Sequence, residues 1–168
     1  MRKDGITKTK NIWDLKNKIL NPIASGLDLN IIDQIASLFA AGSYYYYIFN
    51  FENLKMEYVH HTITDVLGIE PNDFSIDKIF EIMHPEDAAK MHEKENAAID
   101  FLFNKIPKEE LPMYKVSYLM RLKDTSRTYK TILHQSKAVA ISEDGKIQQV
   151  MGIHTDVSHL NIPIDHKV

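Results

Sequence analysis

Hydrophobic and polar residues alternate most regularly in the C-terminal half of the chain. There every second residue is apolar and most of the residues between are polar. The apolar positions are Tyr114, Val116, Tyr118, Met120 and Leu122. A period of two over this length predicts a half-buried β-strand. A second strand is predicted from Tyr129 to Ile141, and Asp144-Gly145 then turns the chain into a third, Ile147 to Val157. These three segments predict an antiparallel meander.

An amphipathic helix pattern precedes an aromatic strand in the N-terminal half. Apolar residues recur every three or four positions between Asp28, a predicted N-cap, and Gly42, a predicted C′ residue. The next segment, Tyr44 to Phe49, is apolar on both faces of a strand, so we expect the helix to cover the face that does not meet the core. Periodicity separates Tyr44, Tyr46 and Ile48 from Tyr45, Tyr47 and Phe49, but it does not decide which set points inward.

Short helices are predicted between these strand-rich halves. Residues 44–60 form a hairpin pattern, and a short helix follows from Thr62 to Leu67 with Gly68 as its stop. Pro71-Asn72-Asp73 opens another helix around Ile76 to Met83, and a longer one follows His84 and runs until Pro107. The inward side of the longer helix is predicted to carry Ala88, Met91, Ala98, Ile99 and Leu102. This order of elements predicts an α+β fold with an antiparallel sheet.

Composition narrows the class of protein. The chain has 168 residues, 44% of them hydrophobic, which fits one globular domain with an appendage. Its 20 basic and 23 acidic residues give a net charge of −3, so we expect no direct contact with nucleic acid or an anionic membrane. The sequence contains no signal-peptide pattern and no long apolar run, which indicates the cytoplasm.

Five short segments occur in a characteristic order along residues 43–161. They are the aromatic opening strand, Tyr58-Val59, Val66-Leu67-Gly68 with Pro71, His84-Pro85-Glu86-Asp87, and the stretch from Gly152 to Ser158. In this order they resemble the sequence of a PAS sensor domain. The chain departs from the usual pattern in two places, at Asp124-Thr125-Ser126 and at Val157-Ser158. The resemblance implies a PAS-like five-stranded antiparallel sheet with helices on one face, extended here by an additional N-terminal helix.

This resemblance also suggests a domain plan. We expect an N-terminal arm at 1–27, a helix at 28–42 that packs on the sheet or on a dimer partner, a PAS domain at 43–160, and the start of a C-terminal linker at 161–168. The Tyr-rich strand and its preceding helix are similar to sensor regions of Bacteroidetes regulators with a LuxR-type helix-turn-helix. That DNA-binding unit is not in this sequence, so we expect a piece of a longer transcription regulator, although a freestanding PAS protein would look the same.

The resemblance implies two sets of functional residues. Ligands of PAS domains lie between the sheet and the helices, which places candidate ligand-binding side chains at Tyr45 or its neighbour Tyr44, and at Tyr47, Met91, Tyr118 and Met120. The alternative is that these side chains only fill the core. At the end of the last strand, signal relay is expected from Thr155, Asp156 and Ser158, for which the alternative is a local turn cap.

Cofactor chemistry is restricted by the absence of cysteine. The sequence has none, which excludes thiolate catalysis and, within the PAS resemblance, cysteinyl-flavin and thioester-linked chromophores. His92 lies on the long helix where haem-binding PAS sensors place their proximal ligand. We nevertheless expect neither haem nor a metal site, because His60 and His61 point to opposite strand faces and no His-Glu-x-x-His motif occurs. The identity of any ligand stays open.

Two further histidines lie nearly opposite each other across the predicted C-terminal hairpin. The turn at Asp144-Gly145 brings His134 and His154 to within about one residue of direct opposition. They could form a pH-sensitive pair, but we expect them to face solvent.

Three functions are compatible with these patterns. The first is a cytoplasmic signalling module, not an enzyme, that forms a homodimer through the helix Asp28 to Ala41 and the outer face of the Tyr strand, and that senses a small ligand. The second is a pure dimerisation scaffold without a ligand, and the third is a small α+β cone enzyme. An internal cavity with polar as well as apolar walls would favour sensing over the scaffold.

Overall fold

One antiparallel sheet organises the protein, in a computed structural model that describes residues 28–164. Its strands, in the spatial order β2-β1-β5-β4-β3, are β1 (Tyr44–Asn50), β2 (Lys55–Val59), β3 (Val116–Lys123), β4 (Tyr129–Ile141) and β5 (Ile147–Asp156). β3, β4 and β5 pair as a meander, and β1 pairs with both β2 and β5. The predicted α+β fold with a five-stranded antiparallel sheet is therefore confirmed.

Within residues 28–164, four α-helices accompany the sheet. They are α1 (Leu29–Phe39), α2 (Ile63–Leu67), α3 (Ile76–Ile82) and α4 (Pro85–Lys105), and short 3₁₀ turns lie at Pro71–Asp73, Lys108–Met113 and Ser158–Leu160. The Asp28 carboxylate caps α1 by accepting the backbone N–H of Asn30 at 3.0 Å. Gly68 ends α2 with φ of 71°, a conformation that glycine adopts without steric cost.

Two helix boundaries differ from the sequence prediction. α1 ends at Phe39 and Ala40 is extended, so Gly42 is not its C′ residue. Gly42 instead passes close to the end of β5, because a Cβ atom there would lie 2.1 Å from the carbonyl oxygen of Asp156. The turn at Pro71 is also separate from α3, which begins after Ser75, whose hydroxyl accepts the N–H of Lys78 at 3.1 Å.

β1 is buried on both faces, for different reasons. Tyr45, Tyr47 and Phe49 point into the main hydrophobic core, which α2, α3 and α4 complete. On the outer face α1 is the cover: the Tyr44 hydroxyl donates to Asp33 Oδ1 at 2.9 Å and the Tyr46 hydroxyl donates to the Leu29 carbonyl at 3.2 Å. The structure thus determines the face assignment that the sequence left open.

A buried ion pair fixes the start of α4 against β3. Asp87 is 3% exposed and its carboxylate accepts the backbone N–H of Arg121 at 2.6 Å and the guanidinium Nη2 at 2.6 Å. Because Asp87 lies in the first turn of α4, its charge also interacts favourably with the helix dipole. This pair holds one end of α4 over the inner face of the sheet, where the candidate site lies.

Candidate functional site between helix α4 and the sheet

Two adjacent cavities lie between α4 and the inner face of the sheet, each of about 70 Å³. The first, which we call the polar cavity, has walls that include Tyr47, Met91, Glu95, Tyr118, Met120 and His134. The second lies toward the C-terminal end of α4, and the walls of both cavities are mostly apolar. Four side chains contribute to both walls and mark where the cavities meet: Phe51, Glu95, Ser136 and Val150.

Gly152 determines how Tyr47 sits beside the polar cavity. A Cβ atom at Gly152 would lie 2.3 Å from Cζ of Tyr47, so the aromatic ring packs directly on the β5 backbone. A larger residue at this position would push the ring toward the cavity. Burial and the charge of Glu95 raise the pKa of Tyr47, which therefore stays protonated at neutral pH.

Glu95 brings a carboxylate into this otherwise aromatic region. The Tyr118 hydroxyl donates to Glu95 Oε1 at 2.9 Å, and burial together with the Glu95 charge raises the pKa of Tyr118. Sequence reasoning missed Glu95 because it lies in a wholly polar stretch of α4. Its spacing of four residues from Met91 and from Ile99, both buried, was the signal that could have placed it on the inward side.

His134 and His154 form a buried hydrogen-bonded pair, so the expectation that they face solvent was wrong. They are direct partners in the β4–β5 ladder, and His134 Nδ1 lies 2.8 Å from His154 Nε2. The expectation failed because the inner face of the sheet is covered at this point by the rings of Tyr45 and Tyr118, at 5.0 and 4.6 Å from the imidazoles. Burial lowers the pKa of His134 to about 4 and that of His154 well below its usual value.

This pair belongs to a longer chain of polar contacts. The Tyr45 hydroxyl oxygen lies 2.6 Å from His154 Nδ1, and Ser136 Oγ lies 3.1 Å from His134 Nε2. Four side chains on three adjacent strands are thereby linked, from the fully buried Tyr45 to Ser136 in the cavity walls. We call Tyr45, His154, His134 and Ser136 the buried chain.

The structure brings most of the predicted ligand-binding residues together. Tyr47, Met91, Tyr118 and Met120 all line the polar cavity. Tyr45 lies behind it, completely buried, and reaches it only through the buried chain. Their role in ligand binding stays a prediction.

His92 does not contribute to the wall of either cavity. Among residues 28–164, no group of three histidine, aspartate or glutamate side chains is arranged to hold a metal ion.

The predicted relay residues form a compact turn after β5. Asp156 Oδ1 accepts the backbone N–H of Ser158 at 3.0 Å and its hydroxyl at 2.6 Å, while Ser158 Oγ accepts the N–H of Thr131 at 2.9 Å. The Asp156 backbone N–H donates to the Ser43 carbonyl at 2.8 Å, and Thr155 is buried beneath α1. The end of β5 is therefore tied to β4 and to the segment that leads out of α1.

A large apolar groove lies on the opposite, outer face of the sheet. It has a volume of about 360 Å³ between α1 and strands β4 and β5, with walls that include Ile35, Ala36, Leu133 and Ile153. Beside it α1 exposes Leu38 and Phe39, which are 77% and 78% exposed. Apolar side chains this exposed on one helix are typical of an interaction surface.

Comparison with solved structures identifies the fold. The chain is similar to a sensory box histidine kinase/response regulator from Burkholderia thailandensis, with a TM-score of 0.54 and 20% identity over 77% of this chain and 86% of that one. It is also similar to the N-terminal domain of a diguanylate cyclase with a PAS/PAC sensor from Marinobacter aquaeolei, with a TM-score of 0.52 and 16% identity over 71% and 99% of the two chains. A PAS domain from Colwellia psychrerythraea gives a TM-score of 0.52 and 12% identity over 77% and 98%.

The chain therefore has a PAS fold, as its resemblance to that family implied. No model of a protein family matches the sequence, and no curated protein matches it significantly. Within residues 28–164, no helix is both long enough and apolar enough to cross a membrane.

Proposed function

We propose that this chain is the PAS sensor domain of a bacterial signalling protein, and that it binds a small molecule in the polar cavity. The observation that carries this proposal is that polar side chains reach an internal space whose walls are otherwise mostly apolar: Glu95, Tyr118, His134 and Ser136 all contribute to it. A scaffold that served only to dimerise would gain stability by filling the same space with apolar side chains. The solved structures of similar fold, which include sensor kinases and a cyclase sensor, are consistent with this role.

The domain relays binding and does no chemistry itself. Its sequence contains no nucleophile elbow, phosphate loop or metal-binding motif. The two histidines beside the cavity have lowered pKa values because of burial, which makes them poor acceptors of a substrate proton at neutral pH. In this proposal they recognise or position a ligand.

A second copy of the chain is the proposed occupant of the apolar groove. α1 covers β1 but leaves Leu38 and Phe39 exposed, and the groove continues across β4 and β5. Two copies related by a twofold axis would cover each other's exposed side chains with the same surface. The effector in this proposal is the DNA-binding unit of a transcription regulator, to which the outgoing chain after β5 would lead.

Relay would pass through Asp156. Its carboxylate holds the turn after β5, and its backbone contacts the segment between α1 and β1, so a change in sheet twist would reach both the dimer surface and the outgoing chain. Asp156→Ala should leave the domain folded but uncouple output in the full-length protein, measured as reporter expression against ligand. Reporter expression like that of the wild type would contradict this role.

Native mass spectrometry of freshly purified protein, together with its absorption spectrum, tests the proposal. We expect dimers that carry a small molecule, which is released when the protein is denatured. Ser136→Leu should abolish retention by filling the point where the cavities meet, while Ser117→Leu, at an exposed position on β3, should retain the molecule. Equal retention by both variants would show that any bound molecule lies elsewhere.

A further inference from the structure

Only one placement of hydrogen atoms satisfies every donor and acceptor of the buried chain. That placement indicates which kind of ligand the polar cavity binds. The inference rests on the proposed function, because it names the ligand chemistry of the same cavity. The placement of hydrogens follows from Tyr45, the fully buried end of these four hydrogen-bonded side chains.

Tyr45 must donate its hydroxyl hydrogen. In the part of the chain that the structure describes, the contact with His154 Nδ1 at 2.6 Å is the one hydrogen bond of this hydroxyl. If Nδ1 donated instead, the Tyr45 hydrogen would be buried without an acceptor, which is costly. Burial and the neighbouring Tyr47 also raise the pKa of Tyr45 well above its usual value, so the hydrogen is present at neutral pH.

The remaining steps follow from the neutrality of the two imidazoles. A neutral histidine carries one proton, and with Nδ1 of His154 acting as acceptor that proton is on Nε2. His154 Nε2–H therefore donates to His134 Nδ1 at 2.8 Å. His134 in turn carries its proton on Nε2 and donates to Ser136 Oγ at 3.1 Å.

Ser136 is thus fixed as a donor toward the cavities. Because Ser136 Oγ accepts the hydrogen of His134 Nε2, the Ser136 hydroxyl cannot donate its own hydrogen to His134. It must donate that hydrogen to an acceptor outside the buried chain. Ser136 contributes to the walls of both cavities, where an acceptor atom of a ligand would meet this hydrogen. Four residues on three strands therefore present one oriented donor to the interior.

Charge further limits the ligand. The described walls of the polar cavity contain one carboxylate, Glu95, and no lysine or arginine, and both histidines are neutral. An anion in this cavity would lie next to a like charge, and the one cation in the described walls of the two cavities, Lys137, lines only the second, so an anion is unfavourable here. A volume of about 70 Å³ leaves room for about five non-hydrogen atoms, since one water needs about 10–15 Å³.

We propose that the polar cavity binds a small neutral molecule whose oxygen accepts a hydrogen bond from the Ser136 hydroxyl, as a ketone or an amide would. The apolar part of the molecule would contact Met91, Met120 and the aromatic walls. The second cavity provides space in which longer members of this class can extend.

Three probes with one branched skeleton test the proposal: 2-butanone, 2-methyl-1-butene and propanoate. Binding is followed by the NMR shifts of the Met91 and Met120 methyl groups in protein with ¹³C-labelled methionine methyls. Ser136→Ala should weaken 2-butanone about fivefold and leave 2-methyl-1-butene unchanged, because only the ketone accepts the hydrogen bond. Ser117→Ala, at an exposed strand serine, should change neither, and propanoate should bind more weakly than 2-butanone.

A readout independent of any ligand is the tautomer of each histidine, from ¹⁵N NMR of the imidazoles. Both should carry their proton on Nε2, and a proton on Nδ1 of either would overturn the proposal. An equal effect of Ser136→Ala on the ketone and the alkene, or tighter binding of propanoate, would overturn it while leaving the cavity a ligand site. If no probe shifted either methyl group, both this proposal and the proposed sensing function would fail.

Discussion

Acid should destabilise this protein through His134 and His154. Both imidazoles are buried, and burial lowers the pKa of His134 to about 4 and the pKa of His154 well below the usual 6.5. The titratable side chains packed around them are Tyr45, Tyr47 and Tyr118 on the neighbouring strands and Glu95 on α4. The folded protein therefore holds two histidines neutral at a pH where the unfolded chain protonates them.

The sign and size of the effect follow from linkage. Above about pH 7.5, one unit above the unfolded pKa, both histidines are almost entirely neutral in the folded and unfolded states, so they contribute almost no pH dependence. Below pH 6.5 the unfolded state binds protons that the folded state excludes, and each histidine lowers the free energy of unfolding by up to about 1.4 kcal/mol per pH unit. The loss continues as the pH falls toward about 4. At pH 5 it amounts to roughly 4 kcal/mol for the pair, a large share of the stability of a typical domain.

Urea unfolding at several pH values between 7.5 and 5 measures this loss. His134→Asn removes one titrating group and keeps an acceptor for His154, so the part of the decline that the pair causes should fall to about half its wild-type size, while His60, whose pKa burial also lowers, contributes equally in every variant. His159→Asn, at an exposed position, should leave the decline unchanged. Carboxylates contribute equally in all three proteins and cancel from the comparison. The same slope in wild type and His134→Asn would refute the neutral buried pair.

Three further predictions concern stability and assembly. Asp87→Ala should lower the free energy of unfolding by about 3 kcal/mol, because it leaves the backbone N–H of Arg121 without its acceptor and leaves the guanidinium with the exposed Glu86 carboxylate in place of the buried one; a loss below about 1 kcal/mol in urea unfolding would contradict this. Gly68→Ala should cost about 1–2 kcal/mol by the same assay because φ is 71°, and an unchanged midpoint would count against the left-handed end of α2. Leu38→Glu should convert dimers to monomers in sedimentation, whereas Met113→Glu, equally exposed outside the groove, should not; dimers in both would place the interface elsewhere.

The sequence predicted the fold well wherever its hydrophobic pattern had contrast. The alternation through Tyr118 and Met120 assigned the inward face of β3 correctly, and Gly68 marked the end of α2. β1 has no such contrast, because it is apolar on both faces. Its orientation depends on α1, and only the packed structure determines it.

The site was harder to predict, because polar residues become buried through their neighbours rather than their own character. His134 and His154 carry no local sign of burial, and they are enclosed by aromatic rings from β1 and β3. Glu95 lies in a polar stretch of α4 and reaches the interior only because Met91 and Ile99 fix that side of the helix inward.

The central claim is that this PAS fold keeps a polar internal space for a small ligand. A crystal structure of freshly purified protein tests it most directly. The account predicts non-protein density larger than one water molecule between α4 and the sheet, within hydrogen-bonding distance of Ser136. Density showing the side chains of Met91, Tyr118 and Met120 in mutual contact, with the space between them closed, would contradict it.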